Sequence, residues 1–462
     1  MATNVLNNEF DLILVGGGVV GCTAAKAFGT DGRRVLLLER DLTEPDRIVG
    51  ELMQPGGVNA LKQLDMEDTL QGIDGIPCRG YSVYRNGEFV EIPYPDNPLT
   101  GRPAEGLSFH HGRFIQNLRK EASATKNVTI KEMTVMRLLN DNVDEKCVGV
   151  VAQTKDGKEE KYYAPLTLVA DGIFSKFRKE FTSKLPDVRS HFVGFIVKDL
   201  VLPSPEHGFV TLAKPSPVLM YQIGTHETRV LVDVPGELPS NANGDLKKYI
   251  QSNIVPQMPE SMRGAFEKAL ETERLRVMPN GFLPPSPNQV NGAILLGDAM
   301  NIRHPLTGGG MTVAINDVIL LRELLSPENI PSFTESDLVI QAMGAFHWKR
   351  KRYCVSINVL AMSLYRLFAA NDPNLVILQN GCFNYFLLGG DCVKGPVSLL
   401  SGLLEKPLAL VYHFYAVAFY ALYLEFKRGG VKGLPVSIMR IFTVLYAACV
   451  TILPYIWSEC KS

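Results

Sequence analysis

No Cys-x-x-Cys pair occurs in this chain of 462 residues, and its eight cysteines (Cys22, Cys78, Cys147, Cys354, Cys382, Cys392, Cys449 and Cys460) are scattered. That excludes a zinc finger or ribbon and a disulfide-stapled secreted module, and leaves reduced thiols and no metal site as the expectation. Charge of one sign is also missing: 47 Lys and Arg face 48 Asp and Glu, a formal net charge of −1. Without a basic surface to displace counterions, the chain is not expected to bind nucleic acid. No internal repeat, low-complexity block or basic-then-apolar leader is present, only a short polar stretch before the first apolar strand.

Composition is otherwise that of a globular protein, 46% apolar and 21% charged. The length favours two or three domains. Two apolar stretches lie near the C-terminus. Residues 408–424 are interrupted only by His413 and crowd Tyr412, Phe414, Tyr415, Phe419, Tyr420 and Tyr423, as aromatic residues crowd at membrane interfaces. Residues 441–457 form the second stretch, with Pro435 and Arg440 ahead of it and Pro454 inside it. About 17 residues each make roughly 25 Å of helix, marginal for a ~30 Å hydrocarbon core. The expectation is a monotopic hairpin that dips into the lipid bilayer.

Gly16-Gly17-Gly18-Val19-Val20-Gly21 is a GxGxxG sequence on a turn between an apolar strand (residues 11–15) and a helix. A strand apolar throughout reads as parallel and buried on both faces. Gly16 suits the tight turn, Gly18 lets the backbone approach a pyrophosphate, and Gly21 lets helix and strand pack closely. The helix N-terminus adds positive potential for the phosphates. Glu39 closes the second strand (residues 34–39), where an acid accepts the ribose hydroxyls of a dinucleotide, and Arg40 lies beside the adenosine end. This motif alone leaves NAD and FAD both open.

Two further motifs separate them. Ala170-Asp171-Gly172 follows an apolar strand at 166–169. Gly297-Asp298-Ala299-Met300 follows another at 293–297 and leads to Thr307-Gly308-Gly309-Gly310-Met311. The Asp298 carboxylate suits the hydroxyls of a ribityl chain. Free amides at Gly309, Gly310 and Met311, opening a helix, suit negative charge on a reduced flavin ring. Three such motifs in this order point to FAD.

These fingerprints resemble the two-dinucleotide-binding-domain flavoproteins of the aromatic-hydroxylase type. Within that group, residues 44–51 (from Glu44-Pro45-Asp46-Arg47 to Glu51), Gln54-Pro55-Gly56-Gly57, His111-Gly112-Arg113-Phe114 and residues 303–311 (from Arg303-His304-Pro305 to Met311) resemble the squalene epoxidase family. The resemblance covers nearly the whole chain. It is closest in form to the shorter, fungal-type members, since animal members carry a further N-terminal membrane region. The generic hydroxylase pattern ends in Asn where this chain has Met311, and squalene epoxidases are similar to this chain there.

Because the FAD motifs sit at both ends of a strand-rich middle block, the domains are expected to interleave. The fold class is α/β, with a Rossmann-like FAD-binding domain at 1–75, 105–185 and 285–335. An antiparallel-sheet substrate domain takes 76–104 and 186–284, and a helical membrane-associated region takes 336–462. The resemblance implies FAD contacts at Val19, Val20, Glu39, Arg40, Arg47, Leu52, Arg119, Val135, Asp298 and Met311. Arg47 and Arg119 have no partner in the local sequence and suit pyrophosphate or ribityl oxygens.

Squalene, the implied substrate, offers no polar handle, so its site is expected to be a long apolar cavity. Tyr81 and Gln54 resemble a buried pair beside the flavin with a catalytic role. Tyr221, Pro305 and Leu306 resemble pocket-lining residues. Phe383 and Phe386, at i and i+3 on a helix, are placed to close the cavity. The implied reaction passes one oxygen atom of dioxygen to a terminal double bond, giving 2,3-epoxysqualene for sterol synthesis. An alkene needs no deprotonation, so no His or Cys base is expected, His110 and His111 included. No second GxGxxG for NADPH is present, which implies a separate membrane-bound NADPH-dependent reductase as electron donor. The implied location is the cytosolic face of the endoplasmic reticulum membrane, with lipid droplets as a second site. Two other readings stay open: a flavin-dependent prenyl-chain reductase, and a non-enzymatic prenyl-binding escort protein on the same fold.

Overall fold

The computed structural model of the chain describes residues 9–97, 100–141, 145–429 and 434–461. Most of the polar stretch expected ahead of the first strand lies outside the described residues. The first layer is a five-stranded parallel sheet in the order Ala293–Leu295, Leu166–Val169, Leu12–Val15, Val35–Glu39, Val128–Glu132. Its central strands are apolar throughout because helices cover both faces, among them Val19–Thr30, His111–Ala124 and Gly310–Leu324. Three well-separated parts of the chain supply these five strands. A three-stranded antiparallel sheet (Thr134–Asn140, Cys147–Gln153, Glu159–Tyr163) flanks it.

The second layer is a seven-stranded sheet in the order Arg276–Phe282, Asp187–Lys198, Glu227–Pro235, Val218–Gly224, Gly208–Thr211, Gly80–Arg85, Glu88–Pro93. It is antiparallel except where Gly208–Thr211 runs parallel to Gly80–Arg85. Alternation sorts its side chains to two faces. Val193, Val218, Met220, Val230 and Val232 pack on one face with Leu246 and Phe266, from the helices Asp245–Asn253 and Glu260–Thr272. Phe192, Leu219, Tyr221 and Leu231 take the other face, which looks toward the parallel sheet.

From Ser336 the chain is helical: Ser336–Lys349, Lys351–Ala369, Pro373–Leu387, Asp391–Leu400, Pro407–Gly429 and Leu434–Cys460. The second and third of these meet at a bend of 112°. Asp372 restarts the chain there as an N-cap, accepting from the amides of Asn374 (2.9 Å) and Leu375 (3.1 Å) ahead of Pro373. The last two helices are longer than the apolar stretches read from the sequence. Pro407–Arg428 and Met439–Cys460, 22 residues each with mean hydropathy 1.5 and 1.7, are long and apolar enough to cross a membrane. The extra length is a polar turn at the end of the first helix (Glu425, Lys427, Arg428), which continues the helix without continuing the apolar run. Each helix buries one lengthwise stripe against the body, such as Val444, Ala447, Ala448, Ile452 and Tyr455, and exposes another, such as Phe442, Tyr446, Leu453 and Trp457.

Candidate functional site

The glycine turn adopts the geometry that its three outer glycines anticipate. Gly16 has φ +106°, and a Cβ there would sit 2.6 Å from the Ala170 carbonyl oxygen. At Gly21 a Cβ would lie 1.8 Å from the Gly16 carbonyl oxygen, so helix and strand touch. A Cβ on Gly18 would meet nothing within 4 Å, because that residue faces a cleft. Glu39 comes over the turn and accepts the Gly17 amide at 2.6 Å. The following loop is tied down by Arg119, whose guanidinium donates to the carbonyls of Gly17, Asp41 and Thr43, each at 3.0 Å. Arg119 has no partner in the local sequence, and these three carbonyls are all remote from it. Arg47 is exposed at the rim and makes no hydrogen bond or ion pair with the described residues.

One cavity of about 620 Å³ runs from this turn between the two sheets. Its lining includes Gly16, Gly18, Val19, Val20, Glu39, Arg40, Arg47, Leu52, Arg119, Val135, Asp298, Gly310 and Met311, and also Tyr81, Tyr221, Pro305 and Leu306. Five residues singled out in the sequence lie outside that lining. Gly21 packs the turn. Gly309 is the N-cap of Gly310–Leu324 and presses on Ile357, where a Cβ would be 2.3 Å from Cγ2. Gln54 is wholly buried behind Tyr81. Phe383 is buried, and Phe386 packs beside it, in the apolar core that also holds Leu306 and Tyr221.

Asp298 lines the cavity and is exposed to the open cleft, with protein packed around it on the other sides. That enclosure pushes its carboxyl above the usual range, with Arg303, Arg47 and Arg178 pulling the other way. Arg178 staples the second motif to the third, donating to the carbonyls of Ile173 (2.8 Å), Asp298 (3.0 Å) and Ala299 (2.8 Å). His111 Nδ1 donates to the Gly50 carbonyl at 2.8 Å, so that nitrogen carries the proton. Burial, with Arg47 and Arg119 nearby, pushes its pKa down to about 4.

Tyr81, Gln54 and Tyr94 form one network around the Thr307 carbonyl. Gln54 Nε2 donates to that oxygen at 2.7 Å and to the Tyr81 hydroxyl, Tyr81 donates to it at 3.1 Å, and Tyr94 donates to Gln54 Oε1 at 2.6 Å. Burial raises the Tyr81 pKa, so its hydroxyl keeps its proton. Glu51 lines the same wall and is held by Arg229 through a bidentate pair at 2.8 and 2.9 Å, with the Tyr221 hydroxyl at 3.4 Å. Burial pushes the Glu51 carboxyl up despite that guanidinium. Tyr94, Arg178 and the Glu51–Arg229 pair were not anticipated, since each acts on residues distant in sequence.

These residues fit a flavin dinucleotide. Gly18 and Gly310 leave open backbone where a Cβ would enter the cleft, and the helix Gly310–Leu324 turns its N-terminus to it. Arg303 lines the same stretch, with Nε buried and unpartnered among the described residues.

The comparisons with known proteins agree with that geometry. Residues 163–439 match the family model described as squalene epoxidase. The chain is 46% identical to squalene epoxidase erg1 of Aspergillus fumigatus, over 99% of this chain and 95% of that one. It is 47% identical to squalene monooxygenase of Mus musculus, over 98% of this chain and 78% of that one. The chain belongs to the squalene epoxidase family. Among solved structures, p-nitrophenol 4-monooxygenase PnpA from Pseudomonas putida superposes with a TM-score of 0.70 at 18% identity, covering 86% of this chain and 98% of that one. At that identity the likeness concerns the fold. As a squalene epoxidase family member, the chain joins a cleft that fits a dinucleotide to an apolar pocket under the Val210, Leu219 and Leu231 wall.

Proposed function

We infer that the protein is an FAD-dependent squalene monooxygenase, which inserts one oxygen atom of dioxygen into a terminal double bond of squalene to give 2,3-epoxysqualene. The observation that carries this is the single cavity in which the glycine turn, Asp298 and the Gly310 amide share walls with apolar residues of the seven-stranded sheet. FAD, once reduced, supplies the activation of dioxygen. The chain's own residues do the rest. Amides at the start of Gly310–Leu324 favour negative charge beside them. Arg47 and Arg40 are the exposed cations for the phosphates and the adenosine end, and Glu39 and Asp298 are the acceptors for sugar hydroxyls. Tyr81 and Gln54 act by holding the Thr307 carbonyl, and so the loop 305–309, in place. Val19, Val20, Leu52, Val135 and Met311 pack against the cofactor, while Tyr221, Pro305 and Leu306 shape a dry pocket for a substrate with no polar handle. Phe383 and Phe386 stiffen the pocket's outer wall through core packing.

The FAD part is assigned to 1–75, 105–185 and 285–335, the substrate part to 76–104 and 186–284, and the membrane part to 336–462. Electrons come from a separate membrane-bound NADPH-dependent reductase. The chain sits on the cytosolic face of the endoplasmic reticulum membrane and on lipid droplets, reaching its lipid substrate from the bilayer. The test is detergent-purified protein given squalene, NADPH, air and a microsomal reductase, with the reductase omitted in a parallel tube. Product carrying one added oxygen only in the complete tube is the expected result. Product with added hydrogen and no oxygen identifies a prenyl-chain reductase instead, and bound squalene without product identifies an escort protein.

A further inference from the structure

Between the two sheets, beside the cavity but outside its lining, sits a buried histidine. His304 is 2% exposed. Tyr365 stacks on its ring at a centroid distance of 3.9 Å and 13° between planes, and Phe192 meets it edge-on at 5.3 Å. The ring is therefore held in one orientation by two elements, the helix Lys351–Ala369 and the strand Asp187–Lys198.

Its two nitrogens face different parts of the molecule. Nδ1 accepts the Leu306 amide at 3.2 Å, which makes His304 the N-cap of the short turn Pro305–Thr307. A ring nitrogen that accepts an N–H carries no proton, so in the neutral ring the proton sits on Nε2. Nε2 faces Ser190 Oγ at 3.4 Å and Asp233 Oδ1 at 3.5 Å. Asp233 is wholly buried and fixed in turn by Ser190 Oγ at 2.5 Å and Asn280 Nδ2 at 2.9 Å. Burial keeps the ring neutral, holding its pKa below the ordinary value against the pull of Asp233. The seven-stranded sheet thus selects the tautomer whose free lone pair caps the turn carrying Pro305, Leu306 and Thr307. Thr307 is also the residue whose carbonyl Tyr81 and Gln54 grip from the other side.

We propose that His304 is a positioning residue for the epoxidation: its Nδ1 fixes the Pro305–Thr307 turn and, through it, the distance between substrate pocket and flavin cleft. This rests on the proposed function; His304 itself lies outside the cavity lining, so it touches no substrate and acts only through the turn, whose placement against the flavin cleft bears on rate.

Two amide substitutions separate the two nitrogens. H304N puts an acceptor oxygen at the place of Nδ1, and Asn is a favoured N-cap. H304Q puts a donor at the place of Nε2 and no acceptor near Leu306. In the FAD-loaded full chain, H304N is expected to keep kcat within about threefold of the parent. H304Q is expected to lose about tenfold in kcat with KM for squalene changed less than about twofold, one hydrogen bond's worth acting on the chemical step. Hydrogen exchange of the peptide spanning residues 303–311 is expected to speed up in H304Q and not in H304N. H304S, with a hydroxyl that also caps, carries the same expectation as H304N should that variant fold poorly. Equal behaviour of the capping and non-capping variants in both readouts, or a change confined to KM, overturns the proposal. Failure of the parent protein to form epoxide would instead count against the function, while the exchange readout would still report on the cap.

Discussion

Gly18 and Gly21 differ in what surrounds them, and that difference separates binding from folding. A methyl on Gly18 meets no chain atom within 4 Å and enters the cleft, whereas one on Gly21 would overlap the Gly16 carbonyl oxygen at 1.8 Å. G18A is therefore expected to weaken FAD binding by at least about tenfold while thermal unfolding of the apoprotein stays unchanged. G21A is expected to destabilise the fold by about 1–3 kcal/mol or more, as overpacking does. Fluorescence titration with FAD and a melting curve on each variant check this, and equal effects on both quantities would contradict it. His111 offers a pH test. Its folded pKa of about 4 lies below the ordinary 6.5, so between those values the unfolded chain binds a proton that the folded chain does not. Stability contributed by the neutral ring is complete above pH 6.5 and is lost as pH falls toward 4. His347, also near 4, and His304 titrate in the same direction. H111Q should therefore flatten part of the acid-side loss of stability, and an unaltered pH profile would show that His111 does not contribute to it.

At the scale of elements, the two C-terminal helices are core on one side and carry exposed apolar residues on the other. Val444, Ala447, Ala448, Ile452 and Tyr455 are buried, and Glu459 at the end of Leu434–Cys460 is paired with Lys351 at 3.0 Å and with Asn358 at 2.8 Å. A helix bound along its length to the body lies better on a bilayer than through it, although 22 apolar residues suffice to cross. Removing the pair would unroof the core, so substitutions on the exposed stripe are the better test. Changing Phe419, Tyr423, Phe442 and Trp457 to Ser is expected to move the protein from the pellet to the supernatant in vesicle sedimentation, with its melting temperature lowered by no more than a few degrees. Retention in the pellet would mean that another surface holds the membrane.

At the scale of the molecule, the parts legible in the sequence are those whose function lies within a few consecutive residues. The glycine turn, the strand end at Glu39, Asp298 and the helix start at Gly310 each declare a backbone geometry locally. The apolar parallel strands and the alternating strands of the middle block were legible for the same reason: period and burial are written in consecutive residues. Contacts joining distant segments carry no such signature. Glu51 meets Arg229, Tyr94 meets Gln54, and Asp233 faces His304 only because two sheets pack across a cleft. Arg119 belongs with them: it has no partner in the local sequence and is held in the fold by three carbonyls remote from it.

The joining of both halves of the chemistry in one cavity is the central claim, and isotope labelling tests it most directly. The purified, FAD-loaded protein would be supplied with squalene, NADPH and a microsomal reductase under ¹⁸O-labelled dioxygen in ordinary water, and the product weighed by mass spectrometry. One labelled oxygen per epoxide is the expected result, and none when label is in the water alone. Product oxygen drawn from water, or a product that has gained hydrogen and no oxygen, would contradict it.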